Sequence, residues 1–475
     1  MGSMKPRDIQ MPPTAAKEAK IALQRAFKTL DWLILAVGAL LLVWLVVTSA
    51  QANISADAVD YYAILQRLTP SDETPIVRNL PFLDQRSPGY GLVALVPYLL
   101  ISATVDPLVE TDGVVDAAST QDPAPAEAPA RRTGPPPVSS NDAQGSEFVR
   151  IPASPLLLRD VLFKEFYIPA EGSQYQWTLV LALAATSYLF LFLGIAANAW
   201  TLRWMFPAVS GVSLAVLAVF GSAVFMHNVL ATPLYATLMA YGLASIFALF
   251  FLRACKAQKP WLLLPAGFFL GFMVLTRLEL AVLAATVALC LMLYRGWIAA
   301  VTLTLGATPA LLVWLVYNAT QFGTPVYLGI LGGDINRLAF DLDYIVNNLF
   351  HPASGVLWWS PLLIPGLAGL LLSRSGPLRI LGIGSVALLA LYLFRVPVMY
   401  QQSGESFIQI GGIAVTVPDS PAAMRELVRS DINRYVTVLL PFAVLGLRDL
   451  LGRIWSWVRS RVARRKGPKR RHASV

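Results

Sequence analysis

Asp57 and Asp60 stand three residues apart in Ser55-Ala-Asp57-Ala-Val-Asp60-Tyr61-Tyr62, so a helix beginning at Ser55 presents both on one face. A carboxylate fixed there can serve as a general base or as a metal ligand. The same acids can equally cap and solvate a helix start, with the rest of 55–68 forming an amphipathic helix at the membrane surface. Further along, Arg277 and Arg434 sit at the ends of apolar blocks, where charge is costly enough that function is the default reading. Snorkelling, or pairing with Glu279 and Asp431 respectively, is the structural alternative. His227-Asn228 borders another apolar block and His351 precedes a proline; each reads first as a hydrogen-bonded boundary group and second as a site residue.

Other polar features are less specific. Asp334, Arg337, Asp341 and Asp343 make a charged loop that reads as solvated before it reads as sugar-binding. Asn53-Ile-Ser55 and Asn318-Ala-Thr320 match glycosylation acceptors close to apolar blocks. Tyr61-Tyr62 and Trp358-Trp359 fit either an aromatic belt or surfaces that stack on sugar or isoprenoid.

The elements that must position these residues are membrane helices. Of 475 residues, 56% are hydrophobic and 14% charged, against roughly a quarter charged in soluble domains. Apolar blocks of spanning length fall at 31–50, 174–198, 207–226, 233–252, 262–276, 280–294, 298–317, 356–373, 378–396 and 433–451. The first follows a polar, basic stretch and reads as a retained signal anchor. Lys and Arg then set sidedness. Residues 1–30, the Arg253/Lys256/Lys259 loop, Arg295, the Arg374 to Arg379 loop and a basic tail at 452–475 go to the cytoplasm. Outside go 51–173, 318–355, 397–432 and two short turns, at 227–232 and 277–279. Within the first outer loop, 105–150 is rich in Pro, Ala, Asp and Ser and reads as a flexible insert. Residues 89–104 are apolar but would invert the path if they crossed, so a re-entrant or interfacial segment is expected. The net charge of +9 is explained by orientation in the membrane rather than by nucleic acid, and Cys255 and Cys290 suggest neither a disulfide framework nor a metal cluster.

The Ser55-Ala-Asp57 and Tyr61-Tyr62 run resembles the first extracytoplasmic loop of the GT-C class of glycosyltransferases, the polytopic enzymes that use polyprenyl-phosphate sugars. Bacterial mannosyltransferase-like and aminoarabinose-transferase-like members carry Ser-Gly-Asp-Glu-x-x-Tyr there. Further stretches look similar in the same order: Arg86-Ser-Pro-Gly89; Gly271 to Glu279 with Thr276-Arg277; Tyr317-Asn318 with Phe322-Gly-Thr-Pro325; His351 to Pro361; and Arg434-Tyr435 with Pro441. The resemblance spans about residues 31–450, and the long outer loops after the first and seventh crossings agree with it. Ala56 and Ala58 depart from the pattern, removing the second carboxylate of an Asp-Glu pair unless Asp60 replaces it from the next turn. About thirty residues also separate Gln401-Gln-Ser-Gly-Glu-Ser-Phe407 from Arg434, where the family runs directly into Arg-Tyr.

This resemblance implies an all-α polytopic membrane protein, a GT-C-like bundle of about ten or eleven transmembrane helices with long extracytoplasmic loops bearing juxtamembrane helices. It divides into a module at 31–317, a second long outer loop at 318–355 and a variable module at 356–451. The implied activity is transfer of a hexosyl or pentosyl group from a polyprenyl-phosphate donor to a glycan, lipid or protein hydroxyl, at the outer face of a bacterial inner or plasma membrane. Asp57, with Asp60, is the implied base; Arg277, Arg434 and Arg86 would meet the donor phosphate; Tyr61, His227, Asn228, Glu279 and His351 would line the substrate site. The resemblance fixes no cofactor; a divalent cation (Mg or Mn), if used, would sit at Asp57. A transporter or flippase of a lipid-linked substrate is the rival, but it should carry polar or broken helices at mid-membrane. A polysaccharide polymerase or ligase should carry paired arginines and a histidine in a large outer loop, where 318–355 offers Arg337 and His351.

Overall fold

The computed structural model describes residues 31–41, 56–69, 88–109, 177–206, 211–220, 236–326, 336–338, 342–350, 355–397, 400–402, 405–410, 413–416 and 435–465, with a few isolated positions. In chain order the helices are α1 (Asp31–Leu41), α2 (Ala56–Leu68), α3 (Gly89–Val109), α4 (Trp177–Met205), α5 (Gly211–Phe220), α6 (Ala236–Ala257) and α7 (Leu263–Thr276). They continue as α8 (Ala281–Arg295), α9 (Trp297–Phe322), α10 (Leu342–Phe350), α11 (Val356–Trp359), α12 (Leu363–Leu371), α13 (Gly376–Phe394) and α14 (Leu440–Arg465). Each of the ten apolar blocks contains helix. Among the described residues, five helices are long and apolar enough to cross a membrane: Thr178–Met205, Ala236–Ala257, Leu278–Arg295, Trp297–Phe322 and Gly376–Phe394. Three shorter apolar helices accompany them. The protein is thus helical, with the composition of a polytopic membrane protein.

Glycines set how these helices meet. Gly194 of α4 lies against Gly242 of α6, and Gly242 against the Phe190 backbone. Near the other end, the Arg253 guanidinium lies 4.3 Å from the Trp200 ring centroid and the Lys256 ammonium 4.4 Å from that of Trp204. The offset between partners stays nearly constant, so α4 and α6 run parallel. Gly267 beside Leu303 with Gly271 beside Ala307 makes α7 and α9 parallel, and Gly366 beside Ala443 with Gly369 beside Gly446 does the same for α12 and α14. By contrast α1 is antiparallel to α4, with Gly38 near Phe192 and Asp31 3.8 Å from Arg203. These directions are those of a chain that reverses at each crossing. Helix α6 is the centre, 83% buried over its apolar window, whereas α8 and α9 are 22% buried over theirs and expose apolar surface.

The directions gather inner-end charges at one end of the bundle. Arg203, Arg253 and Lys256 lie there, Arg295 donates to the Cys255 and Ala254 carbonyls, and Arg453 caps α12 through the Leu372 and Gly369 carbonyls (2.5 and 3.1 Å). This is the end that the Lys and Arg pattern of the sequence assigns to the cytoplasm.

Several expectations change. Helix α2 does not lie amphipathically on a surface: Tyr61, Tyr62, Ala63, Ile64, Leu65 and Gln66 are all buried, because α3 and α4 pack over it. Tyr61 and Tyr62 are therefore not part of an aromatic belt. Residues 89–104 belong to one unbroken 21-residue helix with no chain reversal, so no re-entrant hairpin forms. The 356–373 block is interrupted at Ser360-Pro361. Helix α14 runs on through residues 452–465, the first part of the basic tail. Asn318 is 3% exposed inside α9, which closes its glycosylation reading.

The outer loops also contain strands that an all-helical reading omits. β1 (Asn336–Leu338) pairs antiparallel with β2 (Arg395–Pro397), tying the loop after α9 to the end of α13. β3 (Tyr400–Gln402), β4 (Glu405–Ile410) and β5 (Ile413–Thr416) form a meander from the residues that separate Gln401 from Arg434.

At Gly446 an added Cβ would overlap the Gly366 carbonyl oxygen, whereas at Gly452 it would meet only the tip of the Arg448 side chain. Gly446→Ala should therefore destabilise by about 1–3 kcal/mol and lower the thermal unfolding midpoint in detergent. Gly452→Ala should leave the midpoint unchanged or raised. Equal midpoints for the two variants would contradict the α12–α14 contact.

Candidate functional site

At the opposite end of the bundle α7 stops at Thr276, whose hydroxyl folds back to donate to the Phe272 carbonyl (2.8 Å). Arg277 then takes an extended backbone (φ −149°, ψ 108°), and Leu278–Leu280 form a single 3-10 turn leading into α8. This turn brings Arg277 and Glu279 to the same side. The Arg277 Nε donates to Glu279 Oε1 at 2.7 Å and Nη2 approaches the same oxygen at 2.5 Å. The side chains are 14% and 10% exposed, so the pair is largely withdrawn from water.

Tyrosines surround it. The Arg277 guanidinium lies 4.4 Å from the Tyr435 ring centroid, at the geometry of a cation–π contact. Tyr435 stacks in turn on Tyr392 of α13, centroids 5.3 Å apart at 26°. From α2, Tyr61 comes within electrostatic range of Arg277 and meets the Tyr90 ring edge-on at 4.9 Å and 87°. Tyr90 is fully buried; its hydroxyl donates to the Leu183 carbonyl (2.8 Å) and lies 2.7 Å from Ser187 Oγ, which is left to donate to it. Burial by itself works against the charge on Arg277, but the Glu279 carboxylate, with Tyr392, Tyr435 and Tyr61 beyond it, holds the guanidinium firmly protonated.

Three of the sequence motifs thus meet in space: the helix that carries Asp57 and Asp60, the Arg277 to Glu279 turn, and Tyr435 next to Arg434. Asp57 lies one helical turn before Tyr61 on α2. The Arg86-Ser-Pro-Gly89 stretch ends at the same place, because Gly89 packs against the backbone of Leu275 and Thr276. This convergence holds whether or not α3 crosses the membrane. Arg86, His227, Asn228, His351 and Arg434 lie outside the described residues, as do the side chains of Asp57 and Asp60. Among the described residues no three His, Cys, Asp or Glu side chains gather as a metal site.

No family model, curated protein or solved structure matches this chain.

Tyr90 and Tyr392 were not singled out from the sequence. Tyr90 had a signal: it is flanked by Gly89 and Gly91, and Gly91 admits Ile64 where a Cβ would not fit. Tyr392 had little beyond being a tyrosine near the end of an apolar block.

Chemically, the arrangement offers a fixed, largely buried cation walled by tyrosine rings. Glu279 neutralises it from one edge, while Nη1 has no acceptor among the described residues. An anion arriving there finds an oriented N–H group but little net charge, so a phosphate needs further cations. Glu279→Gln leaves the buried guanidinium uncompensated and should destabilise by about 3 kcal/mol. Replacing both partners, as Arg277→Met with Glu279→Leu, should cost less than Glu279→Gln alone. Thermal unfolding of the three proteins in detergent checks this, and a Glu279→Gln midpoint at the wild-type value would rule out the pair as described.

Proposed function

We propose that this chain is a membrane glycosyltransferase with a GT-C-like bundle, transferring a sugar from a polyprenyl-phosphate donor to an acceptor hydroxyl at the extracytoplasmic face. The observation that carries this reading is the meeting of α2, the Arg277–Glu279 turn and Tyr435 at the end of the bundle opposite the basic inner loops. A site at the membrane boundary suits a lipid-borne donor, whose polyprenyl tail can remain in the bilayer while its phosphosugar reaches water.

In the proposed reaction the Asp57 carboxylate accepts the proton of the acceptor hydroxyl as its oxygen attacks the anomeric carbon. The anomeric C–O bond to phosphate breaks on the opposite face, and the polyprenyl phosphate departs with the bonding electrons, so configuration inverts. Asp60, three residues further along α2, supports Asp57 in this reading. Charge developing on the leaving phosphate requires donors that do not have to move. Arg277 supplies its Nη1 N–H groups from a side chain fixed by Glu279 and Tyr435, and Arg434 and Arg86 supply the net positive charge that the neutralised pair lacks. Tyr61, within electrostatic range of Arg277, contacts the substrate together with Glu279, His227, Asn228 and His351.

Purified protein assayed with a panel of polyprenyl-phosphate sugars should transfer one of them, and Asp57→Asn should lower the rate at least about 100-fold while leaving unfolding unchanged. Full activity in a folded Asp57→Asn protein would remove Asp57 as the base. Movement of a lipid-linked sugar across vesicles without a new glycosidic bond would replace the enzyme with a transporter.

A further inference from the structure

The inner end of the bundle carries a second arrangement of cations that the proposed chemistry does not use. Trp200 and Trp204 are one turn apart on α4, and Arg253 and Lys256 are three apart on the parallel helix α6. Each cation lies over one indole, at 4.3 and 4.4 Å, giving two cation–π pairs in register. Neither cation has a carboxylate partner among the described residues. The acids described at this end pair with other cations: Asp31, buried, lies 3.8 Å from Arg203, and Asp449 lies 3.1 Å from Arg453.

Stacking leaves hydrogen-bonding capacity free. A guanidinium over an indole engages its face and keeps its in-plane N–H fork for an anion. The Lys256 ammonium has three donors, of which the indole contact saturates none with an acceptor. On the bilayer side, Leu189, Leu193 and Trp200 are exposed at spacings of four and seven residues, so one lipid-facing ridge of α4 runs down to the cation pairs. An apolar ridge ending at two oriented cations at the inner boundary matches one molecule shaped the same way.

We infer that the inner ends of α4 and α6 form a binding site for an anionic phospholipid of the cytoplasmic leaflet, its phosphate held by Arg253 and Lys256 and an acyl chain lying along Leu189, Leu193 and Trp200. Indole rings at the headgroup level hold the cations in place, so the site is ready before the lipid arrives. It is independent of the outer site and of the reaction proposed there.

The test uses the full chain in detergent micelles with equal amounts of phosphatidylglycerol and phosphatidylcholine, retained lipid being counted by native mass spectrometry. Wild type should retain phosphatidylglycerol over phosphatidylcholine. Arg253→Gln with Lys256→Gln should weaken phosphatidylglycerol binding about twentyfold and leave phosphatidylcholine unchanged. Arg374→Gln with Arg379→Gln, which removes the same charge from a neighbouring inner loop, should keep the preference. Equal retention of the two lipids by the wild-type chain would overturn the site without recourse to any variant. So would loss of preference in the Arg374/Arg379 control to the same degree, which would assign binding to net charge alone. Displacement by glycerol phosphate at a concentration comparable to the lipid would assign the cations to a soluble phosphate instead.

Discussion

A guanidinium at the end of a membrane helix must keep water, find a counter-charge or lose stability, and Arg277 is held by the second route. Its desolvation is offset by a carboxylate two residues away, reached only because α7 breaks at Thr276 and turns through one 3-10 turn before α8 begins. The electrostatic attraction is strong where water is thin, and so is the penalty if either partner is missing. Tyr435 covers the cation, Tyr392 backs Tyr435, and Tyr61 approaches from α2. Four separate parts of the chain are therefore fixed relative to one ion pair, and the outer end of the bundle is organised around it.

What holds the ion pair at that level is the packing beneath it. Close glycine contacts lock α4 to α6, α7 to α9 and α12 to α14 as parallel pairs, which is how helices separated by one return crossing must run. The same contacts sort the charges. Cations near Trp200 and Trp204, at the Cys255 carbonyl and at the α12 terminus share one end, while the tyrosines and Arg277 share the other. The small sheet joining Asn336–Leu338 to Arg395–Pro397 then ties two outer loops together. The chemistry proposed at one end and the lipid site proposed at the other both rest on this one set of helix directions.

Much of this was legible in the residues because it depends on local facts. Uninterrupted apolar runs located the helices, and Lys and Arg separated the two ends. Arg277 and Glu279 sit two apart at the end of such a run, so their pairing was foreseeable. The burial of α2 was not: Asp57, Asp60, Gln66 and Arg67 give it the pattern of a surface helix, and only α3 and α4 packing over it bury Tyr62 and Gln66. Likewise the apolar 89–104 run fits a hairpin or a helix equally well until Gly89 and Gly91 are seen against Leu275 and Ile64. The β4–β5 hairpin had a readable sign, Gly411-Gly412 between two isoleucines that pair across the turn, but it lay in a polar loop where helices dominated the expectation. Tyr392 became part of the site through a tertiary stack with Tyr435, which no local pattern encodes.

A structure of the protein with a polyprenyl phosphate bound, solved by electron cryomicroscopy in nanodiscs, addresses the central claim most directly. The expected result is the phosphate within hydrogen-bond distance of Arg277 Nη1, between Tyr61 and Tyr435, with the isoprenoid leaving sideways into the bilayer. Polyprenyl phosphate density that lies away from Arg277, with the Arg277–Glu279 pair untouched, would contradict it.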